Sequence, residues 1–410
     1  MRNADAEYPF RQDSDFHYLT GFPEPDALCV LRDRAPRYVL FVRPRDPSAE
    51  TWTGRRAGVE GAMHTYGADA AYPIDEIAQR LPELLGDAET LHYAWGHDRD
   101  LDREMQRILV EQRRSRPRRG HGLVTVHDPT PNLHEMRLRK DAYELERMRA
   151  AAAASAAGHL RVLREARAGM REYELAAMLE YEFRIRGARA PAYGTIVGAG
   201  DNATILHYRD NDGTLAEDRL VLVDAGAEMD LYAADVTRTF PVGARFSPAH
   251  RALYEVVLAA QERAIALVRP GCRFHQPHDA AVETLCEGLV HLGLCAGPVE
   301  RVRESGDFRR FYMHRTSHWL GLDVHDAGLY TVDGDARAFE PNMVVTVEPG
   351  LYVSARFDDV PEEFRGCGIR IEDDVLVTAD NHEVLTAAVP KDVAAIEQLR
   401  SASIQPSRHV

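Results

Sequence analysis

The chain has 410 residues, 45% hydrophobic and 28% charged, with a formal net charge of −15. That length exceeds one ordinary core and predicts two domains, while the acidic balance excludes a general nucleic-acid or anionic-membrane partner. No run of about 18 apolar residues offers a membrane span, the opening MRNADAEYPFRQ has no apolar signal region, and five scattered cysteines without a C-x-x-C pair predict a cytoplasmic protein with no disulfide framework. Only two lysines occur, Lys140 and Lys391, among 50 basic residues. We read this as a composition effect and not as a recognition surface.

Residues 1–126 mix short apolar runs with helical patterns. ALCVL (27–31) and YVLFV (38–42) read as strands and residues 74–85 as an amphipathic helix, which predicts a small α/β domain. The dense basic run RRSRPRR (113–119) reads as a solvated turn near a domain boundary. A Pro/Asp-rich stretch, DPTPN (128–132), predicts a linker over 127–134. The remainder, 135–410, carries an internal echo. An alanine-rich helix over about 141–167 and a second over about 171–186 precede strands; Ser247-Pro248 then opens another long helix, followed by one over about 277–293 and more strands. Helix–helix–sheet, twice, implies two half-domains related by a pseudo-two-fold axis.

Four strand-like segments carry acids where a buried strand should carry none. LVLVDAG (220–226) holds Asp224, and AADVTRTF (233–240) holds Asp235 eleven residues on, so both fit one hairpin. VVTVEPG (344–350) holds Glu348 and GIRIEDDVLV (368–377) holds Glu372. Burying one unpaired carboxylate costs several kcal/mol, and four require compensation. Arginines such as Arg238 and Arg370 could balance part of the charge, and a pair of divalent cations all of it. Spacing alone leaves both readings open. Carboxylates with one imidazole favour Mn²⁺, Co²⁺ or Zn²⁺ over a thiolate-type site. MHRTSHWLGLDVH (313–325) supplies His314, His318 and His325, but Arg315 stands where a zincin H-E-x-x-H would have glutamate, and the embedded Gly321, Thr316 and Val324 disfavour a continuous helix.

ILHY (205–208), VLVDAG, ADVTRTFP, H-x-x-x-H-W-L-G-L-D-V-H-D (314–326), TVEPGLY (346–352) and GIRIEDD together resemble the aminopeptidase P family, as do YPFRQDSDFHYLTGFPEPDA (8–27), WTGRRAG (52–58) and HEMRL (134–138). The resemblance runs essentially end to end. It implies an α/β (α+β) architecture: a C-terminal pita-bread domain of two ααβ halves and a smaller creatinase-like N-terminal domain lacking the family's leading segment. It implies a dinuclear-metal aminopeptidase that cleaves Xaa-Pro bonds by a metal-bridging hydroxide. The implied ligands are Asp224, Asp235, His318, Glu348 and Glu372, with Mn²⁺ the expected metal and Zn²⁺ or Co²⁺ the alternatives. Glu348 would also shuttle protons. His325 and His207 would sit over the substrate, with His325 stabilising the oxyanion, and His314 would line the proline site. Tyr352 and Arg370 would orient the bridging carboxylates. Trp52 would reach a neighbouring subunit's site, implying a homo-oligomer, dimer or tetramer. Arg315 departs from the family's usual glycine and is expected near the substrate's departing side.

The same resemblance keeps an Xaa-Pro dipeptidase (prolidase) as the alternative activity and a non-catalytic pita-bread scaffold as the alternative of another class. A methionine aminopeptidase would lack this N-terminal domain, and creatinase abandons ligands that this chain retains.

Overall fold

A computed structural model describes residues 2–404. They divide into two units, one running to Leu133 and the other beginning at His134.

In the first unit, strand Leu28–Leu31 pairs antiparallel with Tyr38–Val42, which pairs parallel with Ala70–Pro73. YVLFV is a continuous apolar run because both faces of its strand are covered. Leu40 and Val42 pack with Phe22 and Ala62, whereas Val39 and Phe41 pack with Leu84. The helix expected over 74–85 begins as a 3₁₀ turn, Ile74–Glu76, and continues as an α-helix, Ile77–Leu85.

Two readings need correction. The basic run is solvated but is no turn: it forms the end of a helix, Arg99–Arg119, that starts on an Asp98 cap and stops at Gly120 (φ 78°). Met105, Ile108 and Leu109 bury one face of that helix, so its arginines project from the other. The linker predicted over 127–134 does contain the boundary between the two units, but it is not a loop. It opens a helix, Thr130–Leu138, with Asp128 Oδ1 accepting from the Thr130 N–H at 2.9 Å; a proline in a first helical turn loses no bond.

The second unit is built from two helix pairs, each followed by sheet. Helix Ala142–Glu165 starts on an Asp141/Glu144 capping box and packs on Glu172–Ile185. Helix Pro248–Ile265 starts on Ser247 and packs on Gln276–His291. Each pair approaches closely at one glycine. A Cβ on Gly158 would lie 2.8 Å from the Phe183 ring, and one on Gly288 would lie 2.2 Å from Val256 Cγ1.

Strand Leu220–Asp224 lies between Ile196–Ala199 and Thr237–Pro241, antiparallel to both, with Asp224 opposite Thr237. Between them the chain turns at Asp230 and Leu231, both at positive φ (49° and 70°), the conformation a tight hairpin demands. In the other half Val344–Val347 pairs with Asp373–Val377 and Gly350–Val353 with Cys367–Arg370. Both ladders are interrupted at the acids: Glu348 falls between two strands and Glu372 between their partners. The halves join at the same level. The Glu372 N–H donates to the Thr237 carbonyl at 3.0 Å, the Asp235 N–H to Asp374 Oδ2 at 3.1 Å, and Thr239 Oγ1 to the Arg370 carbonyl at 3.1 Å.

Gly226 is where the first hairpin crosses closest. A Cβ there would stand 1.7 Å from the Ala234 carbonyl oxygen. Gly226→Ala is expected to destabilise by more than about 3 kcal/mol, beyond the usual overpacking range, because the obstacle is backbone and cannot rotate away. Urea unfolding of the ion-free protein checks this, and a loss below about 1 kcal/mol would show that the hairpin relaxes freely.

Candidate metal centre

The interrupted ladders aim their acids into one cavity of about 840 Å³ in the second unit, lined by Asp224, Asp235, Glu348 and Glu372 together with His318. His318 comes from a segment with no helix. Its N–H donates to Thr346 Oγ1 at 3.1 Å, and its carbonyl accepts from the Thr346 N–H at 3.0 Å. Its Nδ1 lies 3.0 Å from the Trp319 carbonyl. A carbonyl only accepts, so Nδ1 carries a proton and Nε2 faces the acids, 3.5 Å from Asp235 Oδ2 and 3.8 Å from Glu348 Oε1. Asp235, His318 and Glu372 present ligand atoms within 4.8 Å of one another.

The remaining two acids are differently engaged. Asp224 Oδ1 accepts from the Tyr193 hydroxyl at 2.6 Å, and Oδ2 from Arg370 Nη2 at 2.5 Å. Glu348 Oε2 lies 3.6 Å from His314 Nδ1. Arg370 extends its reach through Nε to Thr237 Oγ1 (3.0 Å), which donates to Glu372 Oε2 (2.7 Å), and through Nη1 to the Tyr352 hydroxyl (2.9 Å). The Tyr352 hydroxyl in turn meets His314 Nε2 at 2.8 Å. Because His314 Nδ1 faces the Arg315 carbonyl at 2.8 Å, Nε2 is the acceptor and Tyr352 the donor. Arg370, Tyr352 and His314 thus form one directed chain of hydrogen bonds, and Arg370 contacts Asp224 directly but Glu372 only through Thr237.

Charge at this centre is unbalanced. Arg238, a candidate counter-ion by sequence, turns away and pairs with Asp373 at 2.6 Å. Four carboxylates against Arg370 leave −4 + 1 = −3 before His318 is counted. Burial pushes the Glu372 carboxyl well above its usual range, and Asp235, Glu348 and Asp224 push it further. Burial likewise raises Glu348, against the pull of His318 and Arg370. For His318, burial disfavours the charged ring, yet the hydrogen bond to Asp235, its charge and that of Glu348 lift it to about 9. Proton uptake by acids and imidazole is the response of a site missing cations. The donor set of carboxylate oxygens and one imidazole Nε2 fits hard or borderline divalent ions.

The structure also places the other residues singled out by sequence. His207, His314, His325 and Arg315 line the same cavity. The His325 ring centroid is 4.2 Å from that of His318. Burial pushes His314 down to about 3, so its ring is neutral at ordinary pH. Trp52 does not join this group. It lies in the first unit on a short helix, Pro47–Thr53, and is 88% exposed, so it is not a packed aromatic. Sequence reasoning missed Tyr193 and Thr237. A tyrosine in PAYGTIVG and a threonine in a strand carry no signal of their own; their partners lie 31 and 135 positions away.

Comparisons with known proteins agree with this geometry. Residues 146–379 match the model for metallopeptidase family M24, and residues 1–93 match the aminopeptidase P N-terminal domain. The chain is 44% identical to an Xaa-Pro aminopeptidase of Haemophilus influenzae over 97% of this chain and 90% of the relative. It superposes on Pseudomonas aeruginosa aminopeptidase PepP with a TM-score of 0.94 and 48% identity, covering 98% and 91% of the two chains. It superposes equally well (TM-score 0.94, 43% identity, 99% and 92% covered) on zinc-substituted Escherichia coli aminopeptidase P in complex with product. On a family match spanning more than half its length and identity maintained along nearly all of it, the chain belongs to metallopeptidase family M24, among the Xaa-Pro aminopeptidases.

Proposed function

We propose that the chain removes the N-terminal residue of peptides whose second residue is proline, using two divalent ions, most consistently Mn²⁺, held by Asp224, Asp235, His318, Glu348 and Glu372. The observation that carries this reading is the uncompensated cluster of four carboxylates around one imidazole, with Asp224, Asp235 and Glu372 buried and Glu348 half-buried. By the family resemblance Asp235 and Glu372 would help hold both ions, Asp224 one of them, and His318 with Glu348 the other. Such ions supply a nucleophile from water at neutral pH and Lewis acidity toward the scissile carbonyl.

The protein's own groups divide the remaining work. Glu348 would take the proton from the attacking water and return it to the departing proline nitrogen. His325, in ring contact with His318, donates to the developing oxyanion, with His207 beside the substrate. His314, kept neutral by burial and oriented by Tyr352 and Arg370, walls the proline ring. A proline nitrogen carries no N–H, so a pocket that reads its ring by shape forfeits no donor contact. Asp224 lies where the substrate's free ammonium would settle. The exposed indole of Trp52 is read as part of a contact with a second copy of the chain, in a dimer or tetramer. The five cysteines are all free, and among the described residues no helix is long and apolar enough to cross a membrane; we read the enzyme as cytoplasmic.

Arg315 is exposed, lines the cavity and makes no ion pair or hydrogen bond through its side chain among the described residues. This favours a contact with the substrate's C-terminal carboxylate and with it a bias to short peptides, the dipeptidase alternative included. A charge-assisted contact is worth about 1.5–3 kcal/mol, about 10- to 150-fold in kcat/KM.

Three outcomes are expected. Chelation abolishes hydrolysis of an Xaa-Pro-Yaa peptide, Mn²⁺ restores it, and chelation also lowers Tm, since the ions bind only the folded cluster; activity in a rigorously ion-free sample would refute the assignment. Glu348→Gln lowers kcat by about 10²- to 10⁴-fold with the fold intact, and a drop under about tenfold would remove Glu348 from proton transfer. Arg315→Gly loses activity on the free-acid peptide and treats its C-terminal amide the same way, whereas an unmodified enzyme already indifferent to amidation would free Arg315 of this role.

A further inference from the structure

His325 lines the cavity yet is exposed and makes no hydrogen bond among the described residues. Apart from its contact with the His318 ring, 4.2 Å between centroids, nothing among the described residues anchors that ring. Its place over the floor of the cavity therefore depends on the backbone of the loop that carries it, and that loop is fixed by the next residue. The Asp326 N–H donates to the Trp319 carbonyl at 2.9 Å, closing residues 319–326 into a ring, and the Gly321 carbonyl inside that ring accepts from the Ala233 N–H at 2.8 Å, two residues before Asp235. The Asp326 side chain is itself clamped. Oδ2 accepts from Lys140 Nζ at 2.8 Å, and Oδ1 accepts from Arg137 Nη2 at 2.6 Å and from the Asp323 N–H at 3.3 Å.

Lys140 is unusual in this chain. It is one of two lysines among 50 basic residues, and its side chain is 1% exposed. The other, Lys391, makes the matching contact, 2.8 Å to Asp373, the residue after Glu372. Both lysines thus hold an aspartate that directly follows a residue of the cavity. Lys140 is packed tightly against Gly321: a Cβ there would come 2.9 Å from Lys140 Cε and 2.1 Å from Asp326 Oδ2. A guanidinium is broader and planar and does not reproduce the single-point contact of the ammonium.

We propose that Lys140 is a positioning residue of the reaction: by holding Asp326 beside Arg137 it sets the loop that aims His325 at the substrate carbonyl. This rests on the oxyanion role of His325 in the proposed function.

The test is a double-mutant cycle on the metal-loaded full chain with an Xaa-Pro-Yaa peptide. Lys140→Met is expected to lower kcat on the order of tenfold to a hundredfold, the scale of a misplaced catalytic group, with KM and ion content held. His325→Ala lowers kcat as well, and adding Lys140→Met to it produces no further loss, because the positioned group is gone. Lys140→Arg fails to rescue. Lys140→Gln, which keeps a donor toward Asp326, repeats the cycle should the methionine variant not fold. Multiplying losses in the double variant, or an unchanged kcat in Lys140→Met, would overturn the proposal, and failure of both variants to fold would assign Lys140 to stability alone. An unmodified enzyme inert on the peptide would instead overturn the peptidase reading itself.

Discussion

Four carboxylates gathered around one point constrain everything else in the second unit. A folded chain does not gather an excess of negative charge in one largely buried cluster at no cost. Among the described residues, the nearest cation besides His318 is Arg370, and it is committed to Asp224 and Tyr352. The neighbouring cation, Arg238, is consumed by Asp373, which Lys391 and Gln261 also hold, at 2.8 Å each. Balance at the centre therefore has to come from bound cations, or from protons when cations are absent. That one requirement accounts for the upward shifts of Glu348, Glu372 and His318.

The fold meets the requirement by bringing two copies of one plan together. Each half lays a helix pair on a sheet, and each sheet breaks its ladder where its acids stand. A strand end frees the side chain from the in–out alternation of a pleated ladder, so neighbouring strands can aim two acids at one point. The cross-links between halves, Glu372 to Thr237, Asp235 to Asp374 and Thr239 to Arg370, lie at the same level as the ligands. Ions held at that level would add to the cross-links between the halves, and so to stability as well as chemistry.

Much of this was legible in the sequence. Asp224, Asp235, Glu348 and Glu372 stood out because each interrupts an apolar run, and the structure brings all four into one cavity with His318. The helix start marked by Ser247-Pro248 encodes local chemistry that needs no tertiary context. Pattern reading failed where that context decides. RRSRPRR is helical because Met105, Ile108 and Leu109 upstream in the same helix have a core to cover, and DPTPN opens a helix although its composition is that of a loop. Spacing could not separate Arg238 from Arg370, since the register of their strands decides which one faces the acids, and only the family resemblance singled out Arg370. Tyr193 and Thr237 were invisible because their significance lies in partners distant along the chain.

Counting bound ions tests the central claim most directly. The chain, stripped by chelation and equilibrated with Mn²⁺, should retain two ions per chain by elemental analysis after removal of free metal, and Glu372→Ala should lose that stoichiometry while remaining folded. Retention of no ions by the unmodified, folded protein would show that the four carboxylates are balanced by protons and the cavity's own cations, which contradicts a two-ion centre.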